Sequence, residues 1–328
     1  MGLLPFERRD MKVIERARAE TSPKYGQDPA TRSIQELLQS GIIVIDKPAG
    51  PSSHQVSAYV RQILGLEKTG HSGTLDPGVT GVLPVALEQG TRIVQSLLTA
   101  GKEYVCLMRL HQEVSDAQLR EVLAQFVGKI KQLPPVKSAV KRQWRFRKVY
   151  YLELLDVQGQ DVLFVVGCQA GTYIRKLCHD IGGALGCGAH MVELRRTKAA
   201  AFRESQAVTL QTVADALHYL KEGNEAPIRK ILLPIEAGVG HLAKIWIHDT
   251  AVNPLCHGMQ LKLPGIVRLE NDIQKEDLVA ILTLKGELVL VGQALMTSRE
   301  MLASKGIAVK TQQVFMKTGV YPKTERIV

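Results

Sequence analysis

The 328-residue chain is short of the features that mark membrane-bound, exported or disulfide-stapled proteins. Its longest apolar runs, such as residues 162–166, fall far below the ~20 residues a spanning helix needs. Acidic and basic residues interrupt the opening MGLLPFERRD before a signal-peptide core can form, so export is not expected. Position 6 is Phe6, where a myristoylation signal requires Ser or Thr. Cysteines number only five, an odd count without a CxxC pair, which points to a reducing cytoplasm and thiols used as small core residues. There is no internal repeat and no low-complexity tract. Acid is scarce relative to base: 32 acidic residues against 42 basic ones leave a formal charge of +10, a balance suited either to plain solubility or to a polyanionic partner such as nucleic acid.

What is present reads as globular. Hydrophobic residues make up 45% and charged residues 23%, which excludes a disordered or collagen-like chain. At ~150 residues per domain the length predicts about two domains. Residues 1–40 mix charges with Pro and Gly and read as an extension without helix that packs onto something else. GIIVID at 41–46 predicts a short strand. Ser52 with Gln55 forms a capping box, and Val56, Tyr59, Val60, Ile63 and Leu64 keep helical spacing until Gly65. Residues 70–84, dense in Gly and Pro, read as loop. Strands are predicted at 103–110, 149–157, 162–168 and 190–195. Helices are predicted after Ser115, after Thr172 and at 210–220. Beyond 241 the pattern changes to short strand candidates (242–247, 266–270, 278–284, 287–295 and 307–315), the mark of a small β-barrel-like domain. Irregular alternation without βαβ units predicts an α+β fold.

Two local patterns can carry chemistry, and two others only imitate it. GHSGTLDPGVTGVLPVAL at 70–87 places Asp76 in a stretch stiffened by Pro77 and turned by glycines. Such an Asp is a presented carboxylate or simply part of a good turn. Residues 137–148 hold Lys137, Lys141, Arg142, Arg145, Arg147 and Lys148 with no acid, interleaved with Trp144 and Phe146. Cations for phosphate and rings for stacking are the composition of an RNA track, although a charge run is commonly a solvated face. Cys178, His179, Cys187 and His190 imitate a zinc site, but Cys178 lies on an apolar helical stripe and adjacent Cys and His point apart, so no metal is assigned. GGALGCG at 182–188 lacks the Gly-Lys-Ser/Thr of a phosphate loop.

Six blocks taken together go further. KPAGPSSHQV (47–56), GHSGTLDPGVTGVLPVAL (70–87), KEYVCLMRLH (102–111), QLPPVKSAVKR (132–142), GTYIRKLCHDIG (171–182) and ELRRTK (193–198) occur in the order found in TruB-type pseudouridine synthases. The chain most resembles their dyskerin branch, the catalytic subunits of RNA-guided box H/ACA particles. The resemblance implies an extension at 1–40 packing on a PUA domain, a catalytic domain at 41–235 with a mixed, mainly antiparallel sheet, a PUA RNA-binding domain at 241–316, and a tail at 317–328.

It further implies that Asp76 is the catalytic aspartate, that Tyr104 stacks on the base and helps remove its carbon-5 proton, and that Arg175 pairs with Asp76 and keeps it ionised. Tyr173 and Leu194 would line the pocket. Lys47 would support the active-site loop or meet phosphate, and His71 would hold the displaced nucleotide out of its stack. Lys244, Lys262 and Arg268 would reach phosphates from the PUA domain. No cofactor is implied. The implied partners are guide RNA, substrate rRNA or tRNA, and small particle proteins. The lack of long Lys-rich tails suits an archaeal version. The short 141–149 connection and the PUA-like domain favour guided action over a stand-alone tRNA enzyme, and the intact Asp76, Tyr104 and Arg175 set argues against a non-catalytic RNA scaffold. Two departures stand out: Gly78 occupies a position where the family usually has Lys, and Ala199, Ala200 and Ala201 replace a Ser-Gly-Pro-like segment.

Overall fold

A computed structural model describes residues 2–134, 143–303 and 305–322. Lys137, Lys141 and Arg142 of the basic stretch therefore lie outside the described residues. The chain divides into two compact units. The first comprises Met1–Arg8, Ile43–Ala86 and Val94–Ile231, and the second Arg9–Ile42, Leu87–Ile93 and Leu232–Val328.

The first unit is built on a nine-stranded mixed sheet. Seven strands run in the order Ile42–Lys47, Thr80–Leu87, Ala189–Ala199, Lys102–Leu110, Asp161–Cys168, Arg145–Gln158 and Gly128–Gln132, while Thr69–His71 pairs with Thr80–Leu87 and Phe202–Arg203 with Ala189–Ala199. From Ala189–Ala199 through to Gly128–Gln132 the successive pairings are antiparallel, but Thr80–Leu87 runs parallel to Ala189–Ala199. That strand corrects the loop expected through residue 84. TGVLPVAL is buried throughout after Thr80, as a central parallel strand should be, and its glycine and proline disguised it.

Helix Ile174–Ala184 presents Ile174, Leu177, Cys178 and Ile181 to a core completed by Cys106, Met108, Phe164 and Val166 of the sheet and by Leu119, Val122 and Leu123 of helix Asp116–Gln125. Its N-cap is Tyr173, without a side-chain cap, and not Thr172 as expected; the Thr172 hydroxyl instead donates to the Gln169 carbonyl at 2.7 Å. The Ser52–Gln55 capping box is present, and Gly65 closes helix Ser53–Leu64 in the left-handed conformation (φ 65°). The first residues join this unit: Leu4 is buried with Tyr151 and Val165, and Glu7 meets Lys198 and Arg203.

The second unit is a seven-stranded sheet in the order Val13–Glu15, Ile266–Glu270, Ala243–Ile247, Leu278–Thr283, Leu288–Ala294, Ile307–Val314 and Leu261–Lys262, around a core of Ile245, Ile281, Val289, Leu290 and their neighbours. Part of the extension is integral to it. Val13–Glu15 adds an antiparallel edge to Ile266–Glu270, and Arg9 grips Asp272 with bonds of 2.6 and 2.7 Å. The extension is also not free of helix. Ile34–Ser40 forms one behind a complete Ser33–Glu36 capping box, a local signal outweighed in the sequence by the Pro and Gly before it. Helix Asp249–Cys256, with Pro254 inside it, was likewise not anticipated.

Candidate active site

The loop bearing Asp76 is held from beneath. Leu75 is buried; its N–H donates to Ser53 Oγ at 2.8 Å, and that hydroxyl donates back to the Leu75 carbonyl at 3.2 Å. The turn closes through Val79 N–H to the Asp76 carbonyl at 3.0 Å. Lys47, fully buried, donates from Nζ to the carbonyls of Pro48, Pro77 and Val79 at 2.8, 3.0 and 2.8 Å. Of its two anticipated roles, only loop support survives, since a fully buried ammonium with three carbonyl acceptors does not meet phosphate. Burial, and then the like charge of Arg196, lower its pKa.

With Leu75 anchored inward, the next side chain points outward. Asp76 accepts a hydrogen bond at Oδ2 from Arg175 Nη2, and the two side chains are 56% and 55% exposed. The site is open, so water screens this pair. Arg175 stands in the first turn of Ile174–Ala184. The preceding backbone is fixed by buried Gln132, which accepts from Tyr173 N–H at 3.0 Å and donates to the Tyr173 carbonyl at 3.2 Å. Tyr173 itself is partly exposed.

Tyr104, also partly exposed, lies in Lys102–Leu110 opposite Val166 on one side and Arg196 on the other. Burial raises its pKa and the Arg196 charge pulls it back, while Cys168 and Asp76 push it up. Leu194 opposes Cys106 and packs, partly buried, against the core. His71 approaches His54 at 3.3 Å (Nε2 to Nδ1) with the rings edge-to-face. Burial, then the neighbouring His54 and Arg196, hold His71 neutral down to about 4. The pair borders a cavity of about 520 Å³ that also includes Arg61, Lys68 and Thr74.

Two residues of this site escaped the sequence reading. Arg196 and Lys102 are both buried, 1% and 6% exposed, inside strands Ala189–Ala199 and Lys102–Leu110. A basic residue on a core-facing strand position was the available signal. Lys102 donates to the carbonyls of Leu97, Leu98 and Ala100 at 3.0, 2.9 and 2.8 Å, closing the end of helix Val94–Thr99.

The basic stretch keeps its rings outside. Trp144 and Phe146 are 58% and 56% exposed, with Lys131 4.9 Å and Lys129 4.2 Å from their ring centres. Lys148 is exposed and Arg145 partly so, while Arg147 donates to the carbonyls of Phe146 and Gly171 at 2.8 and 3.2 Å. In the second unit Lys262 is exposed and Arg268 stacks 4.8 Å from the Trp246 ring centre. Lys244 departs from expectation. It is tied to the Leu242 carbonyl at 3.1 Å and to Glu270 at 3.6 Å, which leaves little of its charge for phosphate.

The Cys-His set does not converge. Cys178 Sγ lies 3.5 Å from buried Cys106 Sγ, and His190 faces His111 at 3.1 Å. Among the described residues no group of three or more His, Cys, Asp or Glu could hold a metal, and no helix is long and apolar enough to cross a membrane.

Comparison with known proteins shows what the chain is similar to. Residues 61–174 match the TruB family pseudouridylate synthase N-terminal domain, 175–240 the tRNA pseudouridylate synthase B C-terminal domain, 243–315 the PUA domain and 4–57 the DKCLD domain. A probable tRNA pseudouridine synthase B of Methanopyrus kandleri is 56% identical over 98% of this chain and 95% of its own. Its counterpart from Pyrococcus abyssi is 54% identical over 98% and 97%. Among solved structures, a chain of a Cbf5-Nop10-Gar1 complex superposes with a TM-score of 0.93 at 52% identity, covering 98% of both chains. A chain of an H/ACA RNP bound to a substrate RNA containing 2'-deoxyuridine gives 0.92 at 50% identity, covering 99% and 100%. By sequence, domain content and fold alike, the chain belongs to the TruB family of pseudouridine synthases, in the branch that carries both a DKCLD and a PUA domain.

Proposed function

We propose that this protein isomerises chosen uridines of RNA to pseudouridine as the catalytic subunit of a box H/ACA guide-RNA particle, working in the cytoplasm, where its five free thiols stay reduced. The observation that carries the reading is the Asp76 carboxylate, projected from a loop bolted to the fold at Leu75, Pro77 and Val79 and oriented by Arg175. The target nucleotide leaves its stack to reach that carboxylate. The bond between ribose C1′ and uracil N1 breaks, the base turns, and C1′ bonds to C5. The C5 proton departs and N1 gains one, so atoms and electrons balance without a cofactor. Tyr104 takes the C5 proton, Tyr173 and Leu194 confine the base, and His71 keeps the nucleotide extruded. Exposed Trp144, Phe146 and Lys148 track RNA. The PUA-containing unit anchors the guide through Lys262 and Arg268, and small proteins of the particle complete the assembly.

A second reading, direct modification of tRNA, is favoured by the names of the relatives, probable tRNA pseudouridine synthases B. Reconstitution with guide RNA and particle proteins should give modification only at guide-complementary uridines. Full activity on bare tRNA without guide would favour the second reading instead.

A further inference from the structure

Arg196 is the largest fully buried side chain of the described residues, and among them no carboxylate pairs with it. An uncompensated buried cation costs several kcal/mol, so its surroundings should show what it does. Strand Ala189–Ala199 puts Arg196 opposite Tyr104 on its antiparallel side and opposite Gly81 on its parallel side. Gly81 has φ +102°, and a Cβ there would lie 2.2 Å from the Arg196 carbonyl oxygen, so only glycine permits the approach. The guanidinium donates from Nε to the Val82 carbonyl at 2.7 Å and from Nη2 to the Gly73 carbonyl at 3.4 Å. Gly73 and Val82 bracket the Asp76 loop, so one side chain joins the loop's entry and exit to the strand facing Tyr104. Across the antiparallel ladder Tyr104 is the directly paired neighbour of Arg196, on the same face of the sheet.

Loop anchoring alone would not require a charge, because a neutral donor could satisfy two carbonyls. The charge also disfavours protonation of Lys47, Lys102 and His71, all of which sense it as like-signed. The group that benefits is Tyr104. Asp76 from the loop and Cys168 from the neighbouring strand oppose its ionisation, and Arg196 is the cation that favours it.

We propose that Arg196 is the positioning residue for Tyr104. It fixes the phenol oxygen and stabilises its phenolate, so that Tyr104 can accept the proton leaving carbon 5 of the base. The inference rests on the pseudouridine synthase reading given above. The proton moves from C5 to the phenolate oxygen, its bonding electrons restore the C5=C6 double bond, and the neutral phenol remains beside Arg196 until solvent takes the proton.

The test uses the full chain assembled with RNA and compares Arg196→Lys, Arg196→Met and Tyr104→Phe. Arg196→Lys keeps a charge but loses the fork. It should fold, bind RNA within about threefold of wild type, and lose about tenfold in single-turnover rate at neutral pH, with the rise of rate with pH displaced upward by about one unit. Arg196→Met should lose more. Adding Arg196→Lys to Tyr104→Phe should cost no further rate, because the second residue acts through the first. Should Arg196→Met fail to fold, Arg196→Lys carries the test alone. NMR titration of the Tyr104 ring in an Asp76→Asn background gives a readout independent of turnover, and Arg196→Lys should raise that pKa. An unmoved Tyr104 titration, or an unshifted pH profile with only a loss of stability, would overturn the proposal. An active Asp76→Asn protein would instead overturn the functional reading.

Discussion

Replacing Arg175 with alanine should separate stability from chemistry. The Asp76–Arg175 pair is more than half exposed on both sides, so its contribution to folding lies within the ~0–1 kcal/mol of surface ion pairs. For a chain of this size 1 kcal/mol corresponds to about 2–4 °C in Tm, and Arg175→Ala should shift melting by no more than that. RNA affinity should change little, because at most one cation is lost; the slope of log K against log salt should flatten by ~1 at most. Turnover should respond differently. Without Arg175 the Asp76 carboxylate keeps its loop but loses the donor that sets its rotamer, and misplacement by ~1 Å can cost about 10²-fold. Arg175→Lys should recover part of that loss, since a point charge attracts the carboxylate but does not fork to it. The assays are calorimetry, RNA binding across a salt series, and single-turnover pseudouridine formation with guide RNA. A rate within about threefold of wild type for Arg175→Ala would refute the orienting role, and a melting drop beyond 10 °C would show the pair to be structural.

Two further outcomes follow from neighbouring residues. Folded His71 stays neutral down to about 4, whereas the unfolded histidine takes a proton near 6.5. The unfolded chain therefore binds more protons between these values; the His71 contribution is complete above 6.5 and declines by up to ~3 kcal/mol as pH falls toward 4. Urea unfolding at pH 4.5 and 7 should show a smaller acid loss in His71→Gln than in wild type, and equal losses would contradict the assignment. Gly78 is exposed, and a Cβ there would meet nothing within 4 Å. Gly78→Lys should leave Tm unchanged, tighten RNA binding and steepen the salt slope by ~1; an unaltered slope would place this position away from the RNA path.

The sequence made the site's chemistry legible where local signals and family motifs coincided. The Ser52 capping box is readable because it depends on a few adjacent residues, whereas the pairing of Asp76 with Arg175, 99 residues apart, is expected only from the family resemblance. The second sheet was readable from its turns and alternation. What stayed hidden depended on distant strands. The strand Thr80–Leu87 reads as loop through residue 84 until a parallel partner explains its buried glycine and proline. Lys47 reads equally well as a phosphate contact until three carbonyls are seen to enclose its ammonium. Arg196 carried no local mark, because its meaning lies in Gly73, Val82 and Tyr104, which only the sheet brings to it. The open setting of Asp76 is not legible for a related reason: exposure is a property of the surrounding surface and not of the GTLDPG motif.

The central claim is that Asp76 performs the chemistry while other residues hold the RNA. Asp76→Asn preserves size and hydrogen-bonding capacity but removes the negative charge, and the side chain is already exposed to water. The direct measurement is single-turnover pseudouridine formation in the guide-assembled protein, with substrate binding recorded on the same preparation. The account predicts no detectable product while affinity stays within about threefold of wild type, because phosphate contacts elsewhere dominate binding. Product formation by Asp76→Asn at a rate near that of wild type would contradict it.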